Sequence, residues 1–172
     1  ALAALHDRLT PYAPDPRRER IALHLRLRER RVAMITMLKA QLETLDDAAL
    51  RRLAIRQIDH LRRIVLTIEK AMRDLIEADA EMAGLYRRLI AAPGVGPILA
   101  AALIGRLGEL GRLSSRAVAA MVGLAPYDRQ SGANDRARRC AGGRADLRRL
   151  LYMGALAIIR MKKATPLKHV HK

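Results

Sequence analysis

The residues best able to do chemistry in this chain lie in one stretch, GLAPYDRQSGANDRARRC, from Gly123 to Cys140. It contains a single serine, Ser131, followed by Gly132, with arginines at Arg129, Arg136, Arg138 and Arg139. A serine hydroxyl is a weak nucleophile until a base or a strong positive field supports its alkoxide. Guanidinium groups supply such a field, and they also stabilise the charge of a phosphoryl transition state. These residue types together allow attack by Ser131 on a phosphodiester, with the arginines neutralising phosphate. The local residues alone favour a plainer reading, a Ser-Gly turn in a basic loop. No histidine lies near Ser131 and Gly-x-Ser-x-Gly is absent, so the α/β-hydrolase reading fails. Tyr127 is a rival nucleophile of the tyrosine-recombinase kind, but the only His-x-x-Arg is His60–Arg63, inside a helical stretch and best read as a chance match.

A second motif is PGVGP at 93–97. Two glycines between short helices let backbone N–H groups approach a phosphate, and the next helix adds its positive dipole end. Gly94 and Gly96 are therefore candidate backbone-phosphate contacts in a helix-hairpin-helix-like turn. The alternative is a plain interhelical turn that binds nothing. A third feature is the Arg density continuing through Arg144, Arg148 and Arg149, interrupted only by Asp135 and Asp146. Arg144 and Arg148 join Arg129, Arg136, Arg138 and Arg139 as candidate nucleic-acid contacts. A second basic cluster, Arg17, Arg18, Arg20, Arg26, Arg28, Arg30 and Arg31, falls on several helix faces, so part of it is only solvation.

Acids are sparse where a two-metal nuclease would need them. Asp46, Asp47, Glu77, Asp79 and Glu81 read as turn and helix-face residues, and His169 and His171 lack a third partner. No metal ligand is assigned. The single cysteine, Cys140, excludes an internal disulfide and a Cys-cluster zinc site.

Composition narrows the partner. The 172 residues carry a formal net charge of +16 and a pI of about 11.3. Arg far outnumbers Lys, and guanidinium grips phosphate bidentately, so a nucleic acid is favoured over a general solubility role. A GC-rich genome would enrich Arg and Ala but would not by itself leave so large a positive excess. With four tyrosines and no Phe or Trp, base stacking along a single strand is disfavoured and backbone contact is expected. The apolar runs at 95–104 and 151–159 are too short to span a bilayer. The expected location is a bacterial cytoplasm, with the DNA.

Several elements must position these residues. Half the chain is hydrophobic, in Leu, Ile, Ala, Val and Met, which suit helix packing. An all-α fold is predicted. Residues 1–16 read as the remnant of a preceding domain and a linker, because three prolines in TPYAPDP forbid a helix. Residues 17–84 read as an antiparallel coiled-coil hairpin of roughly 40–45 Å, turning at Thr44–Asp47. The first helix offers Ile21, Leu25, Val32, Ile35 and Leu42, with Arg28 and Lys39 in the gaps. The second runs to about Glu81 on a stripe of Leu50, Ala54, Ile58, Leu61, Val65, Ile68, Met72 and Leu75. Self-association through this hairpin is expected. Residues 85–165 form a compact helical domain: a helix, the Gly-Pro turn, a helix through Leu110, and a short helix capped by Ser114 or Ser115 and stopped by Gly123. Then come the Ser131 segment and a last helix burying Leu147, Leu150, Leu151, Ile158 and Met161. Residues 166–172 are a flexible tail.

The ordered blocks PGVGPILAAALIGRLGELGRLSS, AAMVGLAPYDRQSG and RRCAGGRADLRRLLYMGAL closely resemble one family over residues 85–162. It is the C-terminal domain of transposases of insertion-sequence family one hundred and ten, bridge-RNA-guided DNA recombinases related to the Piv invertase. The resemblance implies that Ser131 attacks a DNA phosphodiester and forms a phosphoserine link. It implies partners in DNA and a guide (bridge) RNA, and a dimer or tetramer. It further implies an N-terminal RuvC-like domain with Asp-Glu-Asp-Asp ligands for Mg2+, which this chain lacks, so the parent is an enzyme and the fragment alone is expected to be inactive. Many members have Ser-Lys where Cys140–Ala141 stands, which leaves that lysine's role unfilled. The alternative reading is a non-enzymatic helix-hairpin-helix module for nucleic-acid binding and oligomerisation.

Overall fold

The computed structural model describes residues 15–108, 110, 114–124, 126–127, 139–140 and 143–160. The Asp15 carboxylate accepts the Arg17 N–H at 2.9 Å and so caps α1 (Pro16–Thr44). Pro16 takes the first helical position, where a missing N–H costs nothing. The predicted turn follows. Asp47 accepts the N–H groups of Ala49 at 2.7 Å and Leu50 at 2.9 Å, starting α2 (Ala48–Glu77). Arg51 reaches back from α2 and donates to the carbonyls of Leu42 and Leu45, both at 2.8 Å, satisfying the last turn of α1. The two helices pack antiparallel.

On α2 the expected stripe is buried from Ala54 to Met72, but its ends differ. Leu50 is half exposed, and Ile76 takes the last seam position in place of Leu75. On α1, Ile21 and Leu25 are buried whereas Val32 is exposed. Arg28 occupies the seam there and donates to Glu69 across the hairpin at 2.6 Å. The second helix also stops four residues before its expected end. The Asp79 carboxylate accepts the Met82 N–H at 3.0 Å and caps a separate helix, α3 (Ala80–Ile90). Arg17 donates to the same carboxylate, tying the start of α1 to the α2–α3 corner. The Met82 N–H, then the Arg17 guanidinium, hold the Asp79 carboxyl below the usual carboxylate range.

The central element is α4 (Pro97–Arg106), in which Leu99 through Ile104 are all buried. Its residues are small enough for close approach. A Cβ on Gly105 would lie 2.8 Å from Ile21 Cγ2 and 3.2 Å from the Ala22 nitrogen. The helix ends at Arg106 rather than continuing through Leu110, and the buried Arg18 donates to the Ile104 carbonyl at 2.9 Å near that end. Ser114 caps α5 (Ser115–Val122) and Gly123, at φ 76°, ends it in the left-handed region, as the sequence predicts. The last helix is α6 (Ala145–Arg160). It buries Leu147, while Leu150, Leu151 and Ile158 are half-buried; Met161 lies outside the described residues.

One apolar core joins the hairpin base to the C-terminal helices: Ile21, Leu25, Met72 and Ile76 meet Met82, α4, Leu107, Val122 and Leu147. Each such Leu or Ile, fully buried, contributes roughly 1.5–3 kcal/mol. The fold is all-α. Its only other regular structure, among the described residues, is a two-residue antiparallel ladder between β1 (Pro126–Tyr127) and β2 (Arg139–Cys140).

Candidate nucleic-acid interface

Gly123 and Gly143, which flank the stretch 124–142 in sequence, meet backbone to backbone. Gly143, at φ 63°, packs so tightly on the end of α5 that an added Cβ would collide with the Gly123 nitrogen and lie 2.6 Å from the Met121 carbonyl oxygen. The Arg144 N–H donates to that same carbonyl at 3.0 Å. Beyond this contact the ladder pairs Pro126 with Cys140 and Tyr127 with Arg139. Two left-handed glycines and two paired residues on each side thus make a closed neck. The backbone of Arg139 forms part of it. Ser131, Arg129, Arg136 and Arg138 lie outside the described residues, in the stretch the neck subtends.

Arg144 and Arg148 stand at the base of the neck. The Arg144 guanidinium donates to the Arg106 carbonyl, capping the C-terminus of α4, and Arg148 makes a long contact to the Gly123 carbonyl at 3.5 Å. Both arginines thus touch backbone at the neck. Arg149 is exposed on the next position.

The PGVGP turn divides its two glycines. Gly94, at φ 78°, is packed against α6: a Cβ there would lie 2.6 Å from the Gly154 carbonyl oxygen and 2.5 Å from Ile158 Cγ1. Gly154 answers it, since a Cβ on that residue would lie 2.9 Å from the Gly94 carbonyl oxygen. Gly94 is where the turn touches the protein. Gly96 faces open space, with nothing within 4 Å of its Cβ position, and forms the N-cap of α4 with no side-chain cap bond. The backbone N–H groups that follow Pro97 are the ones a phosphate would approach.

Sequence reasoning missed Arg106. Its side chain is 9 % exposed and holds both oxygens of Glu29, each at 3.0 Å, and Asp146 at 2.5 Å. One signal was available: a lone arginine ends the apolar run PILAAALIGR, where a buried cation needs partners from elsewhere in the chain. The N-terminal basic cluster also resolves. Arg18 and Arg28 are structural and Arg17 pairs with Asp79, while Arg20, Arg26 and Arg30 are exposed along α1. Among the described residues no group of three or more His, Cys, Asp or Glu could hold a metal ion, and no helix is long and apolar enough to cross a membrane.

No curated protein matches the chain. A family model does match, over a stretch that takes in nearly all of the geometry just described. Residues 86–170, from α3 through the PGVGP turn and the neck to beyond α6, match the model of the Transposase IS116/IS110/IS902 family.

Proposed function

We propose that this chain is the serine-bearing part of a DNA transposase, with Ser131 as the nucleophile. The observation that carries the reading is the closed neck. The Gly143–Gly123 contact and the strand ladder close the base of the stretch that contains Ser131. A closed base supports the reading because a nucleophile works only when held near its target.

In the proposed step the Ser131 Oγ attacks phosphorus and forms an O–P bond. The bond from phosphorus to one deoxyribose oxygen breaks, and that oxygen leaves as a hydroxyl, taking up a proton equivalent to the one serine loses. Phosphodiester energy is kept in the phosphoserine link, so the reverse attack by a deoxyribose hydroxyl rejoins strands without ATP. Arg129, Arg136, Arg138 and Arg139 offset the charge on the phosphoryl oxygens. Gly96 and the first turn of α4 hold neighbouring backbone, and Arg144 and Arg148 fix the base of the loop. The Mg2+ that the resemblance implies would be held by the Asp-Glu-Asp-Asp carboxylates of a companion RuvC-like domain. The exposed Arg20, Arg26 and Arg30 on α1 support contact with a guide RNA. The outward Leu23, Leu27, Met34 and Met37 on the same helix support self-association through the hairpin.

A second reading, a binding module without chemistry, draws on the open N-terminus of α4 at Gly96. The two part on one experiment, whether the full-length protein forms a covalent DNA adduct that Ser131→Ala abolishes.

A further inference from the structure

We infer that Arg106 is a positioning residue: it sets the angle between the hairpin and the neck of the Ser131 segment. Its consequence for strand transfer rests on the reading of Ser131 given above; its geometry does not.

Arg106, at the end of α4, touches two distant parts of the chain, α1 and the start of α6. Its side chain binds Glu29 on α1 through both carboxylate oxygens and Asp146 in the first turn of α6. Its own carbonyl accepts from Arg144, the residue that also closes the neck through the Met121 carbonyl. Glu29 is 77 residues away and Asp146 is 40, so these bonds define tertiary geometry rather than local turns. The planar guanidinium suits the task because its two terminal nitrogens point in fixed directions, one toward both oxygens of Glu29 and the other toward Asp146. Lysine offers a single ammonium on a flexible stem and cannot hold both edges.

The neighbouring residue sharpens the point. Gly105 brings α4 against Ile21 and Ala22, so the α1–α4 contact is held by close packing at one residue and by ion pairing at the next. A buried charge that loses one partner cannot recover it from water, so the arrangement favours all of its bonds being made together. When Asp146 is held, so is the first turn of α6, and with it Arg144 and Gly143 at the base of the neck. Tilting the hairpin therefore shifts Arg144 and Gly143 at the base of the neck.

The test uses two spin labels, at Asp46→Cys in the hairpin turn and Arg149→Cys on α6, in a Cys140→Ser background. The unsubstituted pair should give one narrow distance distribution. Arg106→Gln should broaden or shift it with helix content retained, and Arg106→Lys should give an intermediate width. If Arg106→Gln does not fold, Glu29→Gln takes its place, since it is isosteric and leaves Arg106 held by Asp146. An unchanged distribution in the folded variant overturns the proposal. In the full-length protein at saturating DNA, Arg106→Gln should slow covalent-adduct formation at least tenfold while half-saturation shifts less than twofold. A changed distance with an unchanged rate overturns the positioning role. An adduct that persists in Ser131→Ala sinks the nucleophile instead, and leaves the distance measurement as the test of Arg106.

Discussion

Gly143 meets Gly123 backbone to backbone, so closely that no side chain fits at Gly143. The contact brings together the two ends of a segment that starts after α5 and finishes before α6. Both glycines are left-handed, at φ 63° and 76°, a conformation that non-glycine residues adopt only with strain. Gly143→Ala should cost roughly 2–3 kcal/mol, from strain and from collision with the Gly123 nitrogen together. Gly123→Ala, a helix-end glycine, should cost about 1 kcal/mol. Urea unfolding of the two variants measures the difference, and equal losses would contradict the close contact.

The turn at 93–97 should behave asymmetrically. Gly94→Ala drives a methyl into Gly154 and Ile158 and should destabilise by about 2 kcal/mol or more. Gly96→Ala meets open space at φ −86° and should change stability by no more than about 0.5 kcal/mol. Thermal unfolding separates the two. The sequence motif treats these glycines alike; packing against α6 does not.

Much of the fold was legible because its signals are local. The caps at Asp47 and Ser114 and the stop at Gly123 stand where side-chain chemistry puts them, and the α2 stripe is buried over most of its length. What was not legible depends on contacts between distant residues. The helix expected to reach Glu81 breaks early because Asp79 has both Met82 and Arg17 to bind. Val32 yields the seam to Arg28 because Glu69, 41 residues on, is opposite. The geometry at the neck was not legible. Ser131 and its arginines stand out as residue types, but nothing in their spacing foretells that Gly143 closes on Gly123 or that Arg106 joins three elements.

The Arg28–Glu69 pair is about three-quarters buried at both ends, with side chains 22 % and 24 % exposed. Glu69→Ala alone strands a cation in the hairpin seam and should destabilise by about 1–3 kcal/mol. Arg28→Leu with Glu69→Ala should recover most of that loss, since an apolar seam residue replaces a desolvated charge. A double-mutant cycle by denaturant unfolding checks it, and strictly additive losses would show the pair uncoupled.

Asp79 supplies an acid-dependent contribution. Its carboxyl is held below the usual range by the Met82 N–H first and by Arg17, so the folded state binds the proton less readily than the unfolded chain. The stabilisation is present above the unfolded carboxylate value and is lost as pH falls through the lower folded value. Asp79→Asn keeps a cap without the charge and should flatten the acid limb of the stability profile below about pH 4. An acid limb of unchanged steepness in that variant would remove Asp79 from the account.

In the proposed function the neck presents Ser131 to DNA as a nucleophile. The most direct measurement is mass spectrometry of the covalent protein–DNA species formed by the full-length protein, digested to locate the linked residue. A nucleotide phosphate is expected on the peptide containing Ser131, with no covalent species in Ser131→Ala although DNA is still bound. A covalent species that survives Ser131→Ala, or a phosphate found on Tyr127 instead, would contradict it.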